Sequence, residues 1–401
     1  MPFPARLKSG EFIAMTAMMF ATIAFSVDAM LPALPEIGAE LTPDALNKAQ
    51  LIISSFILGM GMGTMITGPL SDAFGRRPVI FSGAALYIVA SIVAAFADSL
   101  ELMLIARVFQ GFGAAAPRVV GLAIVRDLYE GRDMARITSF IMMIFTLLPA
   151  LAPTLGAFVI ALGSWRLIFG LFVVFSVVSI TWFGTRQRET LLPERRRPLQ
   201  LSLLVEAITE VFSHRIVTVS IFVQALIFGC LFMMLTSTQQ VFDIYFDEGE
   251  HFHLWFGFIA LMAGASSLLN AKLVGRLGMR VLIRFSLNVQ VAVSAVMLVM
   301  YGLGLWPAWA AFPAFILWQI TVFGMLGLTV GNLNALAMVP LGHIAGMAAS
   351  VIGATATVLS LLIAVPVGLA FDGTPIPLGI GLLSAVAVAR VLFFLMPREE
   401  A

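Results

Sequence analysis

Apolar residues in this chain do not alternate with polar ones; they run on. Twelve stretches, at approximately 12–33, 49–70, 79–97, 101–125, 137–160, 165–185, 215–240, 254–274, 281–302, 309–336, 345–370 and 377–396, consist almost wholly of Leu, Ile, Val, Phe, Ala, Met and Gly. About 20 such residues in a helix cross roughly 30 Å of hydrocarbon. Only helices and closed barrels satisfy their backbone groups there. The pattern therefore predicts an all-α membrane protein of twelve transmembrane helices. Composition agrees: 60% of residues are hydrophobic and 11% charged, against about 25% charged in soluble domains.

The net charge of +1 conceals a sorting of signs. Odd-numbered connections are acidic: Glu36, Glu40 and Asp44; Asp98 and Glu101; Asp243, Asp247, Glu248 and Glu250; Asp372. Even-numbered ones are basic: Arg76 and Arg77; Arg126, Arg132 and Arg136; Arg186, Arg188, Arg195, Arg196, Arg197 and Arg215; Lys272, Arg276, Arg280 and Arg284. Basic loops stay in the cytoplasm. With Arg6 and Lys8 at one end and Arg398 at the other, both termini are expected there. The first span is too long for a signal-peptide core and holds Asp28, so it reads as a retained helix. Trp165, Trp306 and Trp309 fall near the predicted outer interface, where indoles settle. Cys230, the single cysteine, has no internal disulfide partner.

The Arg- and Pro-rich connection 186–214 divides the chain into six-span halves, 1–185 and 215–401. Within it "LQLSLLVEAITEVF" spaces Leu204, Ile208, Val211 and Phe212 at helical intervals, as an interfacial helix or a linker with one solvated face would. A weak repeat relates the halves: "LSDAFGRR" (70–77) matches "LVGRLGMR" (273–280), pairing Gly75 with Gly278 and Arg77 with Arg280. Two repeated halves with a site near the midplane is a transporter architecture. A membrane enzyme would need a nucleophile–base pair or metal cluster inside a span, and none is visible; a channel would not need fused halves. The histidines lie at connections, and "EGEHFH" (248–253) reads as a solvated outer loop rather than a metal site.

Charge inside the spans is the main chemical signal, since it costs at least about 2.5–3.5 kcal/mol and marks function. In "RVFQGFGAAAPRVV" (107–120), eleven residues make about three turns, so Arg107 and Arg118 share a stripe with Gly111 and Ala114. Those small residues suggest open space, a cavity, in front of it. Asp28, the only carboxylate in a span interior, is reached about 9 Å before the first helix ends, a depth that matches Arg107 on the fourth. Apolar surroundings favour the neutral carboxyl and a guanidinium favours the carboxylate, so the pair is a candidate proton switch; a static ion pair is the alternative. Arg118 lies about 16 Å further along. Two readings stay open for it: contact with an anionic or zwitterionic substrate, or bonds to carbonyls freed by Pro117. "GMGMG" (59–63) suits close helix contact. In the second half no acid or base is read inside a span, so its polar candidates are neutral: Gln224, Thr236, Ser237, Gln239, Gln319, Asn332 and Asn334, among Phe228, Phe232, Met233 and Met234.

Several motifs carry a family resemblance. "GPLSDAFGRRP" (68–78) resembles the loop between helices 2 and 3 of major facilitator superfamily transporters, "RVFQGFGAAA" their fourth-helix motif, and "PALAPTLGAF" (149–158) their fifth-helix antiporter motif. "VDAMLPALP" (27–35), "AIVRDLYEGRDMAR" (123–136), "GSWRLIF" (163–169) and "NLNALAMVPLGHIAGMAAS" (332–350) are similar to the bicyclomycin-resistance (Bcr/CflA) drug–proton antiporters. Met30, Ala73 and Ala157 depart from that pattern. The resemblance implies the major facilitator fold in a bacterial inner membrane and proton-coupled efflux of small amphiphilic compounds. A transporter of one metabolite, such as an amino acid or organic anion, is the alternative. It further implies proton coupling at Asp28 and Arg107, and a substrate site drawing on Asp28, Met30, Arg107, Gln110, Arg118, Gln224, Met233, Thr236, Gln239 and Asn332. An inner gate would use Gly68, Asp72, Gly75, Arg76, Arg77, Arg126, Asp127 and Arg136, and an antiport bend Pro149, Pro153 and Gly156. The expected partners are a small-molecule substrate, protons and membrane lipid. No enzyme activity, cofactor, metal or nucleic acid is expected, and the chain is read as a monomer.

Overall fold

Long apolar runs without periodic polar breaks fold as the helices they predict. A computed structural model describes residues 7–196 and 198–397; Arg6, Arg197 and Arg398 lie outside them. Among the described residues the chain is helical without strands, and twelve segments are long and apolar enough to cross a membrane. The helices are α1 (Ser9–Asp28), α2 (Leu34–Leu41), α3 (Leu51–Phe74), α4 (Arg76–Ala95), α5 (Leu100–Leu128), α6 (Gly131–Ala161), α7 (Arg166–Arg186), α8 (Leu201–Ser213), α9 (Arg215–Gln240), α10 (Phe252–Leu277), α11 (Met279–Gly302), α12 (Ala308–Met338), α13 (Ala345–Leu369) and α14 (Ile376–Phe394).

Two compact units result: Met1–Ala33 with Ser55–Val205, and Leu34–Ser54 with Glu206–Ala401. The first holds α1, most of α3, and α4 to α7; the second holds α2 and α9 to α14. The division falls inside α8, so the stretch open to two readings, an interfacial helix or a linker, is helical. Ala207 and Val211 of α8 are buried, while Val205 and Phe212 are exposed. Glu210 on α8 meets His343, in the turn before α13, at 2.7 Å.

Backbone contact at glycine sets the spacing in the first unit. A Cβ at Gly59 of α3 would overlap the Val108 carbonyl of α5, and one at Gly111 of α5 would overlap the Phe56 carbonyl of α3. Gly113 of α5 would meet Tyr87 N of α4 at 2.7 Å. The small residues between Arg107 and Arg118 therefore admit neighbouring helices, and the cavity expected in front of that stripe is filled at Gly111 by the backbone of α3. Gly111→Ala is expected to destabilise the protein by about 1–3 kcal/mol or more, since backbone rather than a movable side chain must give way. Gly170→Ala, with no atom within 4 Å of its added Cβ, should change nothing. Thermal unfolding of both variants in detergent checks this.

The internal repeat has a structural counterpart. Gly75 (φ 106°) and Gly278 (φ 83°) each precede the third spanning helix of their half, in a backbone conformation that L side chains avoid. Two residues later Arg77 donates to the carbonyls of Gly184 and Gln187, at the end of α7. Arg280 likewise donates to the Pro397 carbonyl, just past α14. Each half thus ties the start of its third span to the end of its sixth. Trp165 corrects another expectation: it is fully buried, with the Arg166 guanidinium 4.2 Å from its ring centroid, whereas Trp309 is 82% exposed as an interfacial indole would be.

Candidate functional site

The first span is longer than its hydropathy suggested and is broken at the residue of interest. α1 stops at Asp28, a short turn covers Leu31–Ala33, and α2 continues to Leu41. Pro32 gives the reason: it has no N–H to return to the Asp28 carbonyl four residues earlier, and it disfavours helical backbone at Leu31. Asp28 therefore sits at a helix break rather than one turn inside a continuous helix. It is 6% exposed, and among the described residues its carboxyl has no hydrogen bond or ion-pair partner. Gly156 of α6 packs against the carbonyl of Ala29, the next residue, where a Cβ would overlap. Of the helix-5 motif, Gly156 thus touches the backbone that carries Asp28, while Pro149 and Pro153 lie within a continuous α6.

Arg107 is fully buried but does not pair with Asp28 in the way that matching depth suggested. Its Nη1 donates to Gln110 Oε1 at 2.6 Å and its Nη2 to the Ser26 carbonyl at 2.8 Å. Gln110 Nε2 donates to Ser91 Oγ at 2.7 Å, and Ser91 donates to the Tyr87 carbonyl. The Tyr87 hydroxyl lies 2.7 Å from Ser26 Oγ. The guanidinium also lies 4.6 Å from the Phe56 ring centroid. A buried charge is tolerable when so many dipoles serve it. Arg107 grips α1 at the Ser26 carbonyl, two residues before Asp28. Gln110 is wholly committed to this network.

Arg118 is half-buried, and among the described residues it forms no ion pair within 4.0 Å and no hydrogen bond. Bonds to carbonyls near Pro117 are therefore not made in this conformation.

Of the residues expected to form an inner gate, Asp72, Arg76 and Asp127 come together in the first unit. Arg76 donates from Nη1 to Asp72 at 2.5 Å and to Ser71 Oγ at 2.8 Å, and from Nε to Asp127 at 2.9 Å. Asp72 thus finds its cation four residues along its own loop, relieving a carboxylate at the negative end of α3. Gly68 accepts from Ser71 Oγ. Arg126 and Arg136 are exposed and join no ion pair in this cluster; Arg136 lies over Phe140. Glu189 completes it: its carboxylate accepts from the backbone N–H groups of Arg76 at 3.0 Å and Arg77 at 2.9 Å, a carboxylate on the positive end of α4. Thr190 Oγ1 donates to Asp127 at 2.8 Å. We expect Asp72→Asn to slow transport several-fold while ligand binding persists, because one of two carboxylates holding Arg76 loses its charge. Parallel binding and uptake measurements check it; lost binding with normal transport would assign Asp72 elsewhere.

In the second unit the neutral candidates are mostly buried. Met233 is fully buried and Thr236 donates to the Phe232 carbonyl. Asn332 donates to Asn270 Oδ1 at 2.8 Å, and Gln319 to Thr238 at 2.8 Å. Among the described residues, Gln224 Nε2 and Gln239 Oε1 are buried without a hydrogen-bond partner. Met30, in the first unit, is also fully buried. The reading that no charged residue lies inside a second-half span needs correction: Arg390 lies within α14, and Arg284 within α11.

Residues 15–366 match the family model described as Major Facilitator Superfamily. The chain belongs to that superfamily. Among its relatives, a bicyclomycin resistance protein homolog of Haemophilus influenzae is 28% identical over 71% of this chain and 72% of its own. Multidrug resistance protein MdtL of Shigella dysenteriae is 31% identical over 60% of each. These names agree with the Bcr/CflA-type resemblance of the motifs. The xylose transporter XylE from E. coli shares the fold, with a TM-score of 0.75, 11% identity and coverage of 98% and 99% of the two chains.

A facilitator is a multi-pass transporter of small molecules rather than an enzyme. For this facilitator the sequence reading missed Ser26, Tyr87, Ser91 and Glu189. The first three look like ordinary small or aromatic residues of apolar spans. Glu189 carried a usable signal, as one of two acids, with Glu194, in the basic run 186–197.

Proposed function

We propose that this facilitator is a proton-coupled antiporter that exports small amphiphilic compounds from the cytoplasm of a bacterium, across its inner membrane, by alternating access. The halves 1–185 and 215–401 would act as its two moving bodies and 186–214 as their cytoplasmic linker, with both termini inside. One observation carries the reading: Asp28, a buried carboxyl at a break in the first span, has no ion-pair partner among the described residues. Such a group is free to load and unload a proton. Arg107 fixes the backbone beside it, and Asp72, Arg76, Asp127 and Glu189 form the inner gate. The substrate contacts proposed are Asp28, Met30 and Arg118 within the first half, and Gln224, Met233, Thr236, Gln239 and Asn332 within the second. The drug-resistance names of the relatives support the substrate class. Arg118 favours a second reading, an exporter of carboxylate-bearing metabolites, because its guanidinium has no anion beside it among the described residues.

Proteoliposomes with an imposed pH gradient and an internal pH dye test the proposal. Chloramphenicol or another neutral drug should release protons across the membrane in exchange. Proton movement only with amino acids or organic anions would favour the second reading. Uptake of the drugs without proton movement would remove coupling altogether.

A further inference from the structure

The cytoplasmic end of the second unit carries arginines on a surface built for lipid. α11 and α14 pack side by side. On α11, Val281 and Phe285 are 41% and 59% exposed; on α14, Val391 and Phe394 are 58% and 74% exposed. Exposed apolar side chains at this density on spanning helices face hydrocarbon rather than water. Arg390 stands among them, four residues before the end of α14, about 6 Å of rise. Its Nε donates to Asn288 Oδ1 of α11 at 2.5 Å and its guanidinium lies 5.9 Å from the Phe394 ring centroid. A guanidinium has five donors; Asn288 takes one, and among the described residues no other partner is found. Arg284 lies one turn before Asn288 on the same face of α11, within about 6 Å. It is exposed, and it too has no carboxylate within 4.0 Å among the described residues.

We propose that Arg284 and Arg390 form a headgroup site for an anionic phospholipid of the cytoplasmic leaflet, with Asn288 orienting the Arg390 fork. The occupant follows from charge and place. A planar guanidinium recognises phosphate oxygens bidentately, and the surrounding Val and Phe side chains offer acyl chains a surface that a free anion could not use. Snorkelling into water would satisfy Arg284 alone, but Arg390 is held sideways onto α11 by Asn288. The inference depends on this end being cytoplasmic, where anionic lipid attracts basic side chains, and not on the substrate or on proton coupling.

Native mass spectrometry of the full-length purified protein tests it, with phosphatidylglycerol and phosphatidylcholine of identical acyl chains as probes. Wild type should retain phosphatidylglycerol in preference, on the order of tenfold for two basic contacts. R284Q/R390Q should lose that preference, R284K/R390K should keep part of it, and K272Q/R276Q on α10 should keep all of it. All variants are first required to elute as wild type on size exclusion, and the lysine pair covers any loss of folding in the glutamine pair. Excess inorganic phosphate should not displace the lipid. Equal retention of both lipids by wild type, undiminished preference in R284Q/R390Q, or displacement by phosphate would each overturn the assignment.

Discussion

Asp28→Asn is expected to reduce drug-dependent proton movement to the level of empty liposomes while the protein stays folded and in the membrane. The substitution keeps the shape of the side chain and removes its exchangeable proton. Most changes at a buried charge are confounded by the partner left behind, because an orphaned ion costs several kcal/mol. Here no ion-pair partner of Asp28 exists among the described residues, so none is orphaned. A neutral amide also costs less to bury than a carboxylate. Thermal stability should therefore equal or exceed that of wild type, and binding of a neutral drug should survive, since an amide of the same shape can still hydrogen-bond it. Three measurements on one preparation decide it: unfolding temperature, equilibrium drug binding, and proton movement in proteoliposomes. Proton movement that persists at the wild-type rate would move the coupling site away from Asp28.

The second large effect separates the two arginines of helix α5 by stability rather than by position. Arg107→Ala leaves Gln110 Oε1 and the Ser26 carbonyl without the donors that now serve them. Each unsatisfied buried acceptor costs about 1–3 kcal/mol, so a loss of roughly 2–6 kcal/mol is expected, together with loss of coupled transport. Arg107→Lys should restore charge but only part of the stability, since one ammonium replaces a fork that reaches two acceptors and stacks near Phe56. Arg118→Ala breaks no hydrogen bond among the described residues. It should cost much less stability than Arg107→Ala, since no hydrogen-bonded acceptor is left unsatisfied, and should alter which compounds are carried. A stable Arg107→Ala or a strongly destabilised Arg118→Ala would reverse the two roles.

How much of this was legible beforehand depends on which interaction each feature rests on. Span number follows from the length of apolar runs, a local property, and survived intact. The break after Asp28 was written in Pro32, but the unbroken hydropathy of residues 12–33 hid it. In the sequence only matching depth points to a pairing of Asp28 with Arg107. Depth says nothing about whether a guanidinium prefers a carboxylate or the carbonyl two residues away. The Gly and Ala residues after Arg107 suggest space because small side chains vacate volume; in a bundle the neighbouring backbone takes it. Arg390 is hard to see in the sequence because one charge within a long apolar run barely alters a hydropathy average. The Asp72–Arg76–Asp127 cluster was anticipated through its motif, whereas Glu189 was not, since its importance comes from reaching back across more than a hundred residues.

The order in which the polar partners of Arg107 occur along the chain has a consequence for synthesis. Ser26 belongs to α1, Tyr87 and Ser91 to α4, and Gln110 to α5 itself, so every one of these groups has left the ribosome before or together with the span that needs it. The glycine faces of α5 likewise meet α3 and α4, both already made. When α5 enters the bilayer, the dipoles that receive its guanidinium are in place, and the chain need not hold a bare cation in lipid while later helices are being translated. A circular permutant that moved α1 or α4 behind α5 would keep every contact of the finished protein and lose that advantage during insertion.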